Sequence, residues 1–509
     1  MLFFKKTALL LVVVVLPILV FGSFFSEASQ PKVIRIGATA EAPTLDPRLV
    51  TDEPAAQRMH VIFDALVSLD WDLSIVPKLA QEFEVTDDGL QLTFFLREDV
   101  KWHHGRQFVA EDVKYTFDWI LNPDNAAPNR ALYLAIQNIE IINDFEVIFH
   151  LSEPQPFLLN NIARMPVVPK DMAEERGSAF ATNPVGTGAF ILKEWVRDDK
   201  MVLVANEDYY LGRPKVDEIH FHPIAEDTTR LLSLEARELD LIIQFPVEDL
   251  TYIEEDPNLV LHRSPGTGYY HFTIDMEREP LTNKKVRHAL AHLVDRESIV
   301  EYVRRGLGEP AYNMMTPALA WHNADVPRYD YDPEKARQLL EEAGYADGFS
   351  ISLVVDEDEG RVEICEIFQS EAAKLGIDVE IQVYEWGTFL DIAYNRAEPW
   401  DMFLCWWTGQ VDPDRATYRQ FHSQGPFNSQ LYHNPRVDEL LELGRREYDH
   451  DTSIALYREA QELIVEDCSY IFIYYEERYG ASLPNIVNWR LHPYGGGHFF
   501  NSHLIDIRN

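Results

Sequence analysis

The sequence predicts an α/β protein of two or three domains, and three observations lead there. At 509 residues the chain exceeds what one hydrophobic core usually supports. Its 46% apolar and 12% aromatic composition is that of folded domains rather than a disordered chain. Strand patterns at 201–205, 219–223 and 241–245 follow one another closely. Between the last two, 228–239 reads as an amphipathic helix with Leu231, Leu232 and Leu234 turned inward, a strand–helix–strand unit.

In chain order, Val33-Ile34-Arg35-Ile36-Gly37 reads as a short strand ending in a loop, Glu41 to Pro47, punctuated by two prolines. A helix is expected over 59–66. The segment 79–121 is the most informative. Thr86-Asp87-Asp88-Gly89 supplies a turn, because Gly takes positive φ and Asp bonds its own backbone. Leu92, Phe94 and Leu96 alternate with Thr93, Phe95 and Arg97 at the strand period. Val100 to Gly105 is a loop containing His103-His104. Ala110-Glu111-Asp112 places acids in the first turn of a helix whose apolar face is Val113, Phe117 and Ile120.

Further on, Val147, Phe149 and Leu151 alternate as a strand, and Gly186-Thr187-Gly188 suits a tight inter-strand turn. No Lys-Ser or Lys-Thr pair follows those glycines, which excludes a P-loop. Beyond Tyr269 to Asp275, another strand, helices dominate. Val286, Leu290, Leu293 and Val294 share a face, and Asp295 to Val300 opens a further helix. Asp332-Pro333 caps one that ends at Ala343-Gly344. Strands at 349–355 and 379–384 bracket a helix at 362–375. A strand at 402–407 runs into a loop, two helices span 435–467, and a strand returns at 470–475. The acidic run Asp356-Glu357-Asp358-Glu359 reads as a solvated turn.

These motifs, from Val33 to Glu476, resemble the family 5 extracellular solute-binding proteins, the peptide, nickel and sugar receptors of ABC importers. The resemblance implies a periplasmic binding protein type II-like fold, two main lobes joined by a hinge plus a third. The first domain would be discontinuous (29–54, 184–275 and 475–509), the second lobe 55–183 and the third 276–474. It implies a periplasmic receptor that closes on a peptide-like or oligosaccharide solute and delivers it to a permease driven by a cytoplasmic ATPase. The chain would act as a monomer, without cofactor or metal, with the loop at 41–47 near the ligand cleft.

The residues themselves bound this reading. A net charge of −39 excludes a phosphate-tracking surface, so nucleic acid is not a partner. Lys5 and Lys6 precede an uncharged, largely apolar run over 8–25, and Ser26-Glu27-Ala28 follows at cleavage spacing. This reads as a signal peptide over 1–28, with an uncleaved anchor as the alternative. No cysteine stands near the cleavage site to take a lipid. Cys365, Cys405 and Cys468 read as buried thiols, with a Cys365–Cys468 disulfide left open.

No catalytic signature is present: no Gly-x-Ser-x-Gly, no His-Glu-x-x-His and no zinc spacing of cysteines. His220 and His222 share a strand face without a third ligand. An exported enzyme, or a chaperone-like peptide-binding module, is the alternative function. The stretch with binding chemistry is Cys405-Trp406-Trp407-Thr408-Gly409-Gln410-Val411-Asp412-Pro413, in which Trp406 and Trp407 face opposite sides of a strand.

Family position adds Tyr269, Tyr270 and Trp386 to the cleft. Dipeptide binders carry Asp after Trp-Thr-Gly for the ligand's ammonium group; here that residue is Gln410, with Asp412 the other candidate. They also carry an Arg for the ligand carboxylate after the strand at 349–355. This chain has the acidic run there, with Arg361 just beyond. If the run faced the cleft, a cationic ligand would suit; if solvent, a sugar or a peptide held by its backbone.

Overall fold

The computed structural model describes residues 31–407 and 410–508. The leader reading at 1–28 therefore lies outside the described residues, as do Thr408 and Gly409 of the binding loop. Among the described residues no helix is long and apolar enough to cross a membrane.

The centre of the fold is a pair of long antiparallel strands, Val260–Ile274 and Tyr470–Ser482. They belong to a mixed eleven-stranded sheet and join its two halves. On one side Val260–Ile274 pairs with Met402–Trp407, which continues in parallel to Phe349–Asp356 and Ile377–Tyr384. On the other side Tyr470–Ser482 pairs with Leu241–Ile243, followed by Val33–Ala38, Glu218–Pro223, Lys200–Ala205 and Phe190–Val196. The parallel strands read as apolar runs because both of their faces are covered, as in the fully buried Leu241-Ile242-Ile243. The register of the long pair shifts between Pro265 and Tyr269, where a side chain on Gly266 would run into the Glu476 carbonyl.

A separate four-stranded antiparallel sheet takes the order Ala80–Val85, Gln91–Leu96, Glu146–Leu151, Ile136–Asn143. Leu92, Phe94 and Leu96 are buried on one face, opposite Phe149 and Val147 of the neighbouring strand. Helix Ala110–Leu121 lays Val113, Phe117 and Ile120 on that face, and Phe117 meets Phe149 edge-on at 5.1 Å. Asp112 accepts the Trp102 indole N–H at 3.0 Å and pairs with Arg106, fixing the loop before the helix.

Several expectations shift for identifiable reasons. The helix expected at 59–66 runs instead over Glu53–Ile62, because Asp52 caps it by accepting the Ala55 N–H, with Pro54 in the first turn. The helix expected from Asp295 is one turn, Arg296–Ser298, followed by a π turn at Ile299–Val303. Arg296 turns inward there and donates to the carbonyls of Ala311, Phe472 and Tyr329.

Gly188 serves close approach rather than only a turn: its N–H donates to the Ile62 carbonyl at 2.8 Å, which a side chain would block. The acidic run is solvated at Glu357, Asp358 and Glu359, as read, but it also has local structure. Asp356 ends a strand and is buried, Asp358 caps helix Glu359–Ala373, and Glu359 begins it. The three cysteines are free and buried, so the Cys365–Cys468 disulfide is not formed.

Candidate functional site

Strand alternation sorts the aromatic residues around Trp406 into two groups. Tyr270 lies opposite Trp406 and Tyr269 opposite Trp407 in the strand register, so each pair shares one face. On the first face Tyr270 stacks between Tyr474 at 4.3 Å and Trp406 at 6.1 Å, and Trp386 joins Trp406 at 5.0 Å. Trp386 is exposed and Tyr270 and Trp406 are half-buried. The Arg361 guanidinium lies 4.2 Å above Trp406, and its Nε and Nη2 both donate to the buried Asp356 carboxylate. Arg361 thus stands where the resemblance would put a carboxylate-binding arginine, but the chain's own Asp356 already fills its fork.

On the second face Tyr269 is fully buried against Phe472 and His271, and Trp407 packs edge-on against Phe427 at 5.1 Å. Gln410 and Asp412 are both buried. One oxygen of Asp412 accepts the Arg415 backbone N–H at 2.8 Å and caps helix Pro413–Phe421; burial raises its pKa. Between them the Val411 carbonyl accepts from Asn160 Nδ2 at 3.2 Å, which docks the loop on helix Leu158–Ile162.

A cavity of about 230 Å³ opens beside this loop. One wall is residues 47–59, with Pro47 of the early loop, Asp52 and Glu53. Asn129, Leu132 and Tyr133 form a second wall, and Asn161, Arg164 and Met165 a third. Arg415 and Tyr494 complete the enclosure. None of the seven residues named from the sequence lines it, although Asp412 lies three positions before Arg415.

The charges around the cavity are unevenly matched. Glu53 forms a two-pronged pair with Arg478, at 2.8 and 3.1 Å. Asp52 is engaged as a helix cap. Arg164 donates to the Asn160 carbonyl and, at 2.8 Å, to Asn161 Oδ1. The buried Nε of Arg415 has no hydrogen-bond partner among the described residues. Burial, with the repulsion of Arg164, brings the Arg415 pKa down to about 10. Burial also pushes the Asp414 carboxyl up to about 6, although Arg445 stands 3.3 Å away.

Apart from Pro47, in the loop that the resemblance put near the cleft, sequence reading missed these cavity residues because they come from stretches far apart in the chain. The one local signal was Arg415 in the first turn of a helix, where the dipole disfavours a cation. His220 and His222 do share a face, and His220 bonds Glu218 at 2.7 Å. Among the described residues no group of three His, Cys, Asp or Glu is placed to hold a metal.

Residues 74–429 match the family described as bacterial extracellular solute-binding proteins, family 5 Middle. The chain is 28% identical over 495 residues to the glutathione-binding protein GsiB of Salmonella paratyphi A, covering 95% of this chain and 96% of the relative. Among solved structures, HbpA2 from Haemophilus parasuis superposes with a TM-score of 0.86 at 24% identity, covering 94% and 100% of the two chains. The oligopeptide-binding protein AppA from Bacillus subtilis, in complex with a nonapeptide, gives 0.75 at 26% identity and covers 94% and 100%. The fold is that of the type II periplasmic binding proteins, and the relatives are binding proteins of ABC importers rather than enzymes. The chain belongs to the bacterial extracellular solute-binding proteins of family 5.

Proposed function

We propose that this protein is an exported, monomeric receptor that captures a small peptide-like solute in the cavity beside Arg415 and hands it to an ABC permease. The supporting observation is the composition of the cavity walls. They draw on all three lobes read from the sequence: residues between 47 and 53 and Tyr494 from the first, residues between 56 and 165 from the second and Arg415 from the third. A solute touching all three favours the closed arrangement by its differential contacts. The paired strands Val260–Ile274 and Tyr470–Ser482 run between the halves of the large sheet and suit a hinge.

The cavity volume of about 230 Å³ lies below the range of about 300–1,000 Å³ usual for drug-sized ligands. A short peptide fits that space better than an oligosaccharide or a nonapeptide. The glutathione-binding relative, which covers nearly the whole chain, supports the same size class.

The test is a thermal-shift and scattering panel on the protein lacking residues 1–28: glutathione, dipeptides, a nonapeptide, maltotriose and a nickel–histidine complex. A cognate solute at a hundred times its Kd stabilises by about 2.7 kcal/mol and compacts the protein. If every member leaves both the melting temperature and the radius of gyration unchanged, the receptor reading fails.

A further inference from the structure

We infer that Arg164 and Arg415 are the specificity pair of this cavity, and that the solute they select carries a carboxylate seated between their guanidinium groups. The inference rests on the cavity being the solute site. Neither arginine forms an ion pair among the described residues, whereas the cavity acid Glu53 is neutralised by Arg478. Asp52 spends one carboxylate oxygen on the Ala55 N–H. Asp414, the acid next to Arg415 in sequence, pairs with Arg445 at 3.3 Å, and Asp412 spends one carboxylate oxygen capping the helix that carries Arg415. A buried cation without an ion pair is costly; the attraction of Asp412 offsets only part of the burial of Arg415, and an entering anion offsets more.

Geometry supports the same reading. Arg164 uses its Nε and Nη2 on Asn160 and Asn161, which orients the group and leaves Nη1 without a hydrogen-bond acceptor among the described residues. Arg415 offers a buried Nε with no acceptor and sits where the helix dipole already favours a negative charge. Planar guanidinium groups match a carboxylate in two-pronged fashion, which neither a sugar hydroxyl nor an ammonium group reproduces. The other arginine near the predicted binding loop, Arg361, is closed to a ligand by Asp356 and Trp406. The acidic run that would have favoured a cationic ligand lies outside the cavity wall.

The experiment is calorimetric titration of unfolded-and-refolded, ligand-free protein with acid and carboxamide forms of the same probes: glutathione, dialanine and trialanine. Maltotriose serves as a further arm that carries no carboxylate. At least one acid is expected to bind, with its carboxamide weaker by about 30-fold or more. Arg415→Gln and Arg164→Gln are each expected to erase most of that gap, and Arg415→Lys to restore part of it. The melting curve of ligand-free Arg415→Gln, equal to or above wild type, separates lost recognition from lost folding.

Equal affinity for acid and carboxamide overturns the inference, as does a gap that survives in both Gln variants. Binding of maltotriose with no acid bound overturns it too, while the receptor reading stands. Silence from every arm overturns both.

Discussion

The hydroxyl of Tyr448 donates to the carbonyl oxygen of Gly89 at 3.3 Å, joining residues 359 positions apart. The same hydroxyl accepts the Gln155 N–H at 3.2 Å, and the ring covers the left-handed turn at Gly89, φ 67°. Nearby, Phe157 sits edge-on to Trp321 and Tyr457. The turn that helped identify the fold is thus also a contact between the proposed second and third lobes.

Tyr448→Phe strands the Gln155 N–H and is expected to cost about 1–2 kcal/mol in chemical denaturation. Gly89→Ala is expected to cost more. It strains the left-handed backbone by about 1–2 kcal/mol, and its methyl group would overlap the Tyr448 ring. Scattering on the ligand-free Gly89→Ala protein should show a larger radius of gyration; unchanged dimensions would rule out a role for this contact in holding the lobes together.

Arg415→Met exchanges an unpaired, largely buried cation for an apolar side chain of similar length. The ligand-free protein is expected to gain about 1–2 °C in Tm, the response of a large domain to a fraction of a kcal/mol. The gain should vanish when melting is repeated with saturating solute, because the wild type alone then benefits from the anion. A lower Tm in the ligand-free variant would show that Arg415 is a structural residue.

His60 carries the clearest pH prediction. Burial, then the nearby Lys78, lowers its pKa from an ordinary 6.5 to about 3. A depressed folded-state pKa gives stability that is complete above 6.5 and is lost as pH falls toward 3, at about 1.4 kcal/mol per unit. Asp414, raised to about 6, works in the opposite direction over 6 to 3.8, so the bare pH profile mixes signs. The difference between wild type and His60→Phe isolates the histidine. His60 already lies edge-on to Phe500 at 4.4 Å, so a phenyl ring suits the site. The variant should lose less stability between pH 6.5 and 4, by urea denaturation at each pH.

Burial raises all three thiols, Cys405 to about 11 and Cys468 to about 12, with Cys365 also well above its ordinary range. A thiol-specific chromogenic reagent at pH 8 should find none of them in the native protein and all three in guanidinium chloride. Recovery of one thiol under denaturing, non-reducing conditions would mean that a disulfide forms in solution.

Local patterns carried much of the fold. The strand expected at 402–407 is Met402–Trp407, and the opposed faces of Trp406 and Trp407 follow from the strand period alone. The apolar face Val113, Phe117 and Ile120 packs as read. Boundaries moved where a cap outweighed hydrophobic pattern, as when Asp52 began the first helix six residues early. The helix Trp386–Asn395 went unread, although Glu385 caps it.

The cavity was illegible for a different reason. Arg164 and Arg415 lie 251 positions apart by their numbers, and nothing local marks them as partners. Arg361 misleads in the opposite sense: its position fits a ligand contact, and only the structure places Asp356 in its fork.

The division of the cavity wall among separate stretches bears on how such receptors diversify. Arg415 projects from one helix and Arg164 from the turn just after another, and the hydrophobic packing of each helix involves other residues. On the carboxylate site inferred above, a duplicated gene could rewrite a single arginine codon and change the cargo while the scaffold is inherited intact. Sister proteins sharing this frame but differing at 164 or 415 would then divide the nutrient pool by charge.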